Sequence, residues 1–222
     1  MTVLPVTLLV VAKAPVPGRA KTRLAATVGD QVAAEIAAAA LLDTLDAVAE
    51  TPVAARVVAL TGKLDAAAGA AEIRRRLASL TVIGQRGRDF GDRLANAHAD
   101  AAAVGGRPVL QIGMDTPQVT AELLYDGGRR LVESSAVLGL APDGGWWALG
   151  VHSPALAECL RDVPMSQPDT GARTLKALCD NGVDVTMLDE LADFDVGDDV
   201  AAVRENCQPG SRFASVSRAA GL

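Results

Sequence analysis

The sequence is poor in the residue types that build several common kinds of site. Only 3% of its 222 residues are aromatic, and it has two histidines and three cysteines. His98 and His152 cannot supply the ligands of a His/Cys zinc centre, so any catalytic metal has to be held mainly by carboxylates, which favours Mg²⁺ or Mn²⁺. Cys159, Cys179 and Cys207 are widely spaced and form no C-x-x-C pair. This usage fits a reducing cytoplasm better than an exported disulfide fold.

Long apolar runs and an excess of positive charge are also missing. The longest apolar stretch, residues 3–12, is interrupted by Pro5 and Thr7 and is far shorter than the roughly 20 residues of a transmembrane helix. Lys and Arg total 21 against 27 for Asp and Glu, which gives a net charge of -6. Such a charge repels nucleic acid. We expect a cytoplasmic protein without membrane or nucleic-acid partners; the oligomeric state stays open, a homodimer included.

Ala, Val and Leu are abundant and fall into alternating strand and helix patterns. A short apolar run at 6–12 predicts a buried strand, and residues 30–50 carry the apolar spacing of a helix. Further strands are predicted at 54–60, 80–84, 108–112, 135–140, 146–151 and 183–188, and further helices at 71–77, 89–104, 120–131, 170–180 and 198–206. The alternation indicates one α/β domain over residues 1–207, with a mainly parallel sheet flanked by helices and ligands at the carboxyl ends of its strands. Residues 208–222 are predicted to be a flexible tail.

The loop after the first strand is the most informative local feature. It reads A-K-A-P-V-P-G-R-A-K-T-R-L over residues 12–24. Backbone N–H groups freed by a turn at Gly18, together with the cationic side chains, can surround the oxygens of a polyphosphate. The cations of this loop are Lys13, Arg19, Lys21 and Arg23.

Two other interpretations of this loop are weaker. A P-loop does not fit, because Pro15 and Ala20 stand where that motif requires glycine, and no G-x-G-x-x-G follows the strand. A solvated basic loop without a ligand remains an alternative, although such loops rarely lie at the end of the first strand of this kind of sheet.

The same loop resembles the signature of GT-A-fold nucleotidyltransferases and nucleotide-diphospho-sugar transferases, close to F-A-K-A-P-x-P-G-x-V-K-T-R-L, with Ala20 in place of the valine. It is most similar to the small bacterial proteins labelled glycosyltransferase-like and related to 2-phospholactate guanylyltransferase. The resemblance extends over residues 6 to about 205. It implies a GT-A fold and a nucleotide-activated donor.

Two acidic segments are candidates for a metal site. Asp115 follows an apolar strand, where a carboxylate is well placed to anchor a hard dication; its segment resembles the family's G-S-D-x-P, which implies a metal ligand near the phosphates. A turn or helix-cap aspartate is the alternative. Residues 193–200 resemble D-x-D-T-P-E-D-L, which implies that Asp195, ahead of Asp193, completes the metal site. Alternatively, Asp198 and Asp199 only stabilise a helix start through its macrodipole.

Two further segments carry predicted ligand contacts. The sequence D-G-G-W-W at 143–147 is similar to the family's D-G-G-Y-Y-x-x-G, and Asp143 is a candidate to bind an acceptor hydroxyl, a sugar or the metal; an ordinary tight turn is the alternative. If residues 146–151 are extended, Trp146 and Trp147 face opposite sides. Residues 85–93 resemble Q-x-x-G-x-L-G-x-R, which implies that Gln85 and Gly87 lie near the nucleotide base; a helix-initiating loop is the alternative. Both histidines are predicted to be structural.

These features together predict a metal-dependent transferase. Lys21, Arg23 and a divalent cation would neutralise charge on the phosphoryl oxygens, with Asp143 completing the catalytic set. The retained cations favour nucleotidyl transfer from a nucleoside triphosphate to a small phosphorylated acceptor. Glycosyl transfer from a nucleotide sugar to a small acceptor is the alternative. A nucleotide-binding protein without catalysis is a third hypothesis, and a carboxylate-metal hydrolase leaves the basic loop unexplained.

Overall fold

The computed structural model describes residues 2–106 and 108–222, and its centre is one seven-stranded sheet. The order across the sheet is β3-β2-β1-β4-β6-β5-β7, and β6 runs antiparallel to its neighbours β4 and β5 while the other pairs are parallel. The predicted mainly parallel α/β sheet is therefore confirmed. The strands are β1 Leu4–Lys13, β2 Val53–Thr61, β3 Thr81–Gly84, β4 Val109–Ile112, β5 Ala136–Leu140, β6 Trp146–Val151 and β7 Val185–Leu188.

Eight α-helices accompany this sheet within the described part of the chain. All the predicted strands and helices form, with small shifts at their ends. Asp89 and Thr120, where two predicted helices begin, are the caps of α4 and α5, because their side chains accept the N–H groups of Asp92 and Leu123. The helices are α1 Thr22–Val28, α2 Asp30–Glu50, α3 Ala70–Leu77, α4 Phe90–Gly105, α5 Ala121–Val132, α6 Thr170–Asp180, α7 Gly197–Glu205 and α8 Arg212–Ala219, with 3₁₀ segments at Leu64–Ala66 and Pro154–Asp162.

The core lies on both faces of the central strand β1. Leu8 and Val10 belong to the apolar cluster that α2 and α5 cover, whereas Leu9 and Val11 belong to the cluster beneath α4 and α6. Because β1 is buried on both faces, its near-continuous apolar run is the pattern expected of a parallel strand between helical layers. Full burial of each such side chain contributes about 1.5–3 kcal/mol.

The prediction that residues 208–222 form a flexible tail is wrong for residues 212–219, which form helix α8 and pack against α2. Phe213 is fully buried, and its ring centroid lies 4.7 Å from that of Phe194. The Asp43 carboxylate of α2 accepts the Ser211 hydroxyl at 2.7 Å and the Phe213 N–H at 2.9 Å. The Arg212 guanidinium lies 3.1 Å from the same carboxylate. Residues 212–219 are therefore an integral part of the domain, because a large aromatic side chain and a helix cap fix them on α2.

The chain path creates a natural ligand position at one edge of the sheet. From β1 the chain crosses to β2 and β3 on one side and then to β4 on the other, so the loops leaving β1 and β4 diverge at their carboxyl ends. In open α/β sheets ligands bind at such switch points. Among the helices of the described residues, none is both long and apolar enough to cross a membrane.

Candidate active site

A cleft of about 1240 Å³ opens at this switch point. Its walls are the loops after β1, β2 and β4, the start of α4, the turn after β5, and residues 165–168 and 193–195. The Met114 sulfur accepts the Lys13 N–H at 3.2 Å and so joins the ends of β1 and β4. Gly18 and Gly87 do not line the cleft. The predicted site residues that line it are Lys13, Arg19, Lys21, Arg23, Gln85, Asp115, Asp143 and Asp195.

Lys21 stands at the centre of the charged part of the cleft. Its ammonium nitrogen donates to Asp115 Oδ2 at 2.8 Å and to the carbonyl oxygen of Phe194, and it lies 3.6 Å from Asp195 Oδ1. It also sits 4.3 Å from the centroid of the Phe194 ring. Only 8% of the Lys21 side chain is exposed. The structure therefore brings together Lys21, Asp115 and Asp195, which the sequence placed in three separate segments.

The electrostatics of this cluster favour a charged Lys21. Burial alone would lower the pKa of its ammonium, but the neighbouring Asp115 carboxylate, with smaller contributions from Asp195 and Asp193, outweighs burial and raises that pKa above its usual value. Burial raises the pKa of the Asp193 carboxyl to about 6; the negative charges of Asp143 and Asp115 add to the shift, and Lys21 opposes it. The cleft thus concentrates negative charge around a single buried cation.

Asp195 is positioned by the start of helix α7. The Asp199 carboxylate accepts the N–H groups of Asp195 and Val196, both at 2.9 Å, which fixes the backbone ahead of the helix. Arg23 donates to Asp195 Oδ2 at 2.7 Å, although the Arg23 side chain is 71% exposed. The helix-start interpretation of this acidic segment and its site interpretation are therefore compatible, since different carboxylates serve the two purposes.

The arrangement of Asp115 and Asp195 suits a hard divalent cation. One carboxylate oxygen of each residue faces the same point, which the Lys21 ammonium fills. Within the described residues no group of three or more Asp, Glu, His or Cys side chains is arranged to hold a metal ion. A cation bound here would therefore take two carboxylates from the protein and the rest of its ligands from substrate oxygens and water, as Mg²⁺ commonly does. The donor set fits Mg²⁺ or Mn²⁺.

The turn that carries Asp143 packs against the segment that contains Pro168 and Gly171. Asp143 Oδ1 accepts the Gly145 N–H at 2.8 Å. Gly144 has φ +90°, and a Cβ at this position would lie 1.7 Å from the Pro168 carbonyl oxygen, so only glycine fits there. The neighbouring tryptophans face opposite sides, as predicted. Trp147 is buried and donates to the Asp189 carbonyl at 3.0 Å, while Trp146 is half-buried beside the cleft.

The side-chain amide of Gln85 makes two hydrogen bonds within the protein, which limits its contact with a nucleotide base. Its side-chain nitrogen donates to the carbonyls of Ala12 and Ala59, both at 2.9 Å, and so ties the ends of β1 and β2 together. Only its carbonyl oxygen is left for a ligand. Gly87 has φ +144° and packs against the start of α4, where a Cβ would lie 2.7 Å from the Asp92 Cβ.

The turn at Gly18 differs from the sequence expectation. Gly18 has φ +72°, but the N–H groups of Arg19 and Ala20 both donate to the Val16 carbonyl, at 2.9 and 3.1 Å. These two amides are therefore not free for a phosphate, because the turn satisfies them internally. The prediction that the Gly18 turn frees backbone N–H groups therefore does not hold for these two amides, and phosphate binding by the side-chain cations stays a prediction.

Sequence reasoning missed two cations of the cleft. Lys63 follows β2, and Arg93 lies in the first turn of α4 with its guanidinium 5.4 Å from the centroid of the Phe90 ring. Arg93 is the last residue of the segment that resembles Q-x-x-G-x-L-G-x-R, so the sequence contained a signal for it. Lys63 belongs to none of the motifs described above. Within residues 2–106 and 108–222, four cleft cations pair with no carboxylate, whereas Lys21 and Arg23 do. The four are Lys13, Arg19, Lys63 and Arg93.

The histidines lie away from these groups. His98 is fully buried on α4, and His152 is exposed after β6. Neither lines the cleft. Both imidazoles therefore lie outside the cleft, and a structural role for them stays a prediction.

Three solved structures share the fold. A nucleotide-diphospho-sugar transferase from Desulfovibrio desulfuricans G20 is 24% identical with a TM-score of 0.82, over 99% of this chain and 95% of that one. A nucleotidyl transferase from Methanothermobacter is 16% identical with a TM-score of 0.55, over 90% of this chain and 96% of that one. The 4-diphosphocytidyl-2C-methyl-D-erythritol synthase from Anaerococcus prevotii is 10% identical with a TM-score of 0.58, over 89% and 95%.

These similarities confirm the predicted fold, that of the nucleotide-diphospho-sugar transferases. No curated protein matches the sequence. One family model matches residues 44–167, more than half of the chain. The chain therefore belongs to the family of uncharacterized proteins conserved in bacteria, DUF2064.

Proposed function

We propose that the protein transfers a nucleotidyl group from a nucleoside triphosphate to a small phosphorylated acceptor. The observation that carries this proposal is the convergence of Asp115 and Asp195 on one point at the switch edge of the sheet, within a cleft that also holds unpaired cations. Carboxylates at one point and cations around it are what a metal-nucleotide complex requires. The likeness of the fold to a protein named as a nucleotidyl transferase and to one named as a 4-diphosphocytidyl-2C-methyl-D-erythritol synthase supports the same reaction class.

The donor would lie over the loops that leave β1 and β2. Lys13, Arg19 and Lys63 have no carboxylate partner among the described residues and line this part of the cleft, so they are free to bind phosphate oxygens. Arginine adds two-pronged contacts and lysine a mobile point charge. The free carbonyl oxygen of Gln85 can accept from the edge of the base.

Asp115 and Asp195 would hold Mg²⁺ or Mn²⁺. When bound, such an ion supplies neutralising charge to the phosphoryl oxygens and orients them. Lys21 and Arg23, next to these carboxylates, add positive charge at the same place. Asp143, which lines the cleft shortly before Trp146 in the sequence, would contact the acceptor.

The chemistry needs no covalent intermediate on the enzyme. An oxygen of the acceptor phosphate forms a bond to the α-phosphorus while the bond between that phosphorus and the bridging oxygen to the β-phosphate breaks. The electron pair leaves with pyrophosphate. The protein contributes alignment and stabilisation of negative charge, which together account for most of the acceleration in phosphoryl transfer.

Glycosyl transfer is a second candidate, because the Desulfovibrio desulfuricans G20 protein, with a TM-score of 0.82, is named as a nucleotide-diphospho-sugar transferase. In that reaction the acceptor attacks the sugar carbon of a nucleotide sugar, and the nucleoside diphosphate leaves. The same carboxylates and cations would bind the diphosphate of the donor.

A labelled-donor experiment separates the candidates. The protein is incubated with each nucleoside triphosphate, labelled at the α- or the γ-phosphorus, with Mg²⁺ or Mn²⁺ and a set of phosphate monoesters. Nucleotidyl transfer puts the α-label into a new product and the γ-label into pyrophosphate. Release of a nucleoside diphosphate from a nucleotide sugar would instead support glycosyl transfer. Tight nucleotide binding with no product in either assay would contradict a catalytic role.

We also assign the protein to the cytoplasm. Cys159, Cys179 and Cys207 are free thiols, and Cys179 is exposed. Exposed thiols persist best in a reducing compartment. Nucleoside triphosphates are available in the same compartment.

A further inference from the structure

The Lys21 ammonium occupies the point where the two candidate metal-binding carboxylates converge. Two of its three N–H groups are directed at Asp115 Oδ2 and at the Phe194 carbonyl, and the remaining one is left for Asp195 Oδ1, 3.6 Å away. The side chain is 8% exposed. Two of the three N–H groups of Lys21 are thus used by hydrogen bonds within the protein, and the third faces the Asp195 carboxylate as an ion pair.

The surroundings hold the ammonium in this place. The face of the Phe194 ring lies 4.3 Å from it and contributes a cation–π contact. Phe194 is fully buried, and Phe213 of α8 supports it from behind. The Lys21 backbone adopts φ 49° and ψ 48°, a left-handed conformation that a lysine rarely takes, directly before α1. The position of this ammonium is therefore built into the fold and is not that of a solvated surface lysine.

Two cations cannot share this point. An ion bound to both carboxylates would lie close to the Lys21 nitrogen, and repulsion between them is strong where solvent is largely excluded. A free divalent ion also has to release water before it binds, with only two carboxylates to replace that water. On this geometry a metal would enter only if the ammonium moved to another negative partner.

We propose that Lys21 is a resident counter-ion that holds Asp115 and Asp195 together and excludes a free divalent cation, so that metal enters only with the polyphosphate of the donor. The phosphate oxygens of the donor then replace the two carboxylates as partners of the Lys21 ammonium. They lie beside the unpaired cations of the β1 loop. Lys21 is thus a positioning residue for the two carboxylates. This inference rests on the proposed function for the identity of the polyphosphate donor.

The test measures Mn²⁺ binding without any nucleotide, by the electron paramagnetic resonance signal of free Mn²⁺. Wild type is compared with Lys21→Gln, which keeps an N–H donor toward Asp115 but removes the charge. We expect weak binding to wild type and binding at least about tenfold tighter to Lys21→Gln, because two carboxylates lose their counter-ion. Lys21→Arg, which keeps the charge, should stay weak.

Arg23→Gln is the matched control. It removes the other cation bonded to Asp195, but that side chain is 71% exposed and does not fill the shared point. Mn²⁺ affinity should therefore change by less than about threefold, as is usual for an exposed pair. An equal gain in Arg23→Gln and Lys21→Gln would overturn the proposal, because it would show a general charge effect. Equal Mn²⁺ affinity in wild type and Lys21→Gln would overturn it as well.

Wild type alone provides a second measurement that no folding defect can affect. Water proton relaxation detects Mn²⁺ on the protein even when Mn²⁺ also binds a small ligand. We expect the protein signal to appear only when inorganic tripolyphosphate is added with Mn²⁺. A full signal with Mn²⁺ alone would contradict the proposal. Because these titrations contain no acceptor and measure no turnover, the Lys21 result stands separately from failure of the proposed transferase activity.

Discussion

We predict that the buried side chain of His98 makes the protein less stable in acid. It lies on α4, its side chain is fully buried, and neither ring nitrogen has a hydrogen-bond partner in the part of the chain that the structure describes. Burial disfavours the charged imidazolium and lowers the pKa of His98 from 6.5 to about 4. The native protein therefore keeps this imidazole neutral at pH values at which the unfolded chain protonates it.

The sign and size of the effect follow from proton linkage. Below pH 6.5 the unfolded state binds a proton that the native state does not, so the free energy of unfolding falls as the pH falls, until the native pKa of about 4 is reached. Each unit of difference in pKa corresponds to about 1.4 kcal/mol. Between pH 7 and pH 4, His98 should therefore remove about 3 kcal/mol of stability.

The assay is urea unfolding of wild type and His98→Leu at pH 7, 6, 5 and 4. Carboxylates titrate in both proteins, so the difference between the two curves isolates His98. We expect His98→Leu to gain about 3 kcal/mol relative to wild type over this range. The control His152→Gln, which changes an exposed imidazole, should follow wild type. Parallel curves for wild type and His98→Leu would refute the argument.

Two further predictions concern the packing of helix α8 and the cleft cation Lys63. Phe213→Ala should lower the free energy of unfolding by about 3–5 kcal/mol, because it empties a fully buried aromatic position next to Phe194. Urea unfolding measures this change. A loss below about 1 kcal/mol would show that α8 contributes little to the folded domain. Lys63→Ala should weaken binding of inorganic tripolyphosphate about fivefold at low salt, measured by calorimetry, because one exposed charged contact is lost. Arg218→Ala on α8, outside the cleft, is its control, and equal losses in the two variants would contradict a specific contact.

Local patterns were sufficient for the elements with a clear apolar period. The strands around β1 and the helix at residues 30–50 follow the spacing of their apolar residues, since that spacing decides which face is buried. Helix α1 was missed because the residue before it, Lys21, has a left-handed backbone and makes no side-chain cap bond. Helix α8 was missed because the side chains that hold it, Phe194 and Asp43, are distant in sequence.

The site was predictable as a location but not as a set of bonds. Parallel strands carry their carboxyl ends to one edge, so the loops with Lys21 and Asp115 had to meet. The sequence analysis assigned Lys21 to phosphate binding and Asp115 to metal binding. No local sequence pattern shows that these two side chains pair with each other. The backbone bonds of Gln85 likewise depend on how β1 and β2 lie side by side. Such contacts come from tertiary packing.

The central claim is that the cleft binds a nucleotide together with a divalent cation. A thermal-shift comparison of wild type and Asp115→Asn, against each nucleoside triphosphate and nucleotide sugar with and without Mg²⁺ or Mn²⁺, tests it most directly. A ligand at about 100 times its Kd adds about 2.7 kcal/mol, which corresponds to a rise in Tm of roughly 5–10 °C at this chain length. We predict such a rise for wild type with a triphosphate and metal together, and its loss in Asp115→Asn. An unchanged Tm with every nucleotide and metal, or the same metal-dependent rise in Asp115→Asn, would contradict the account.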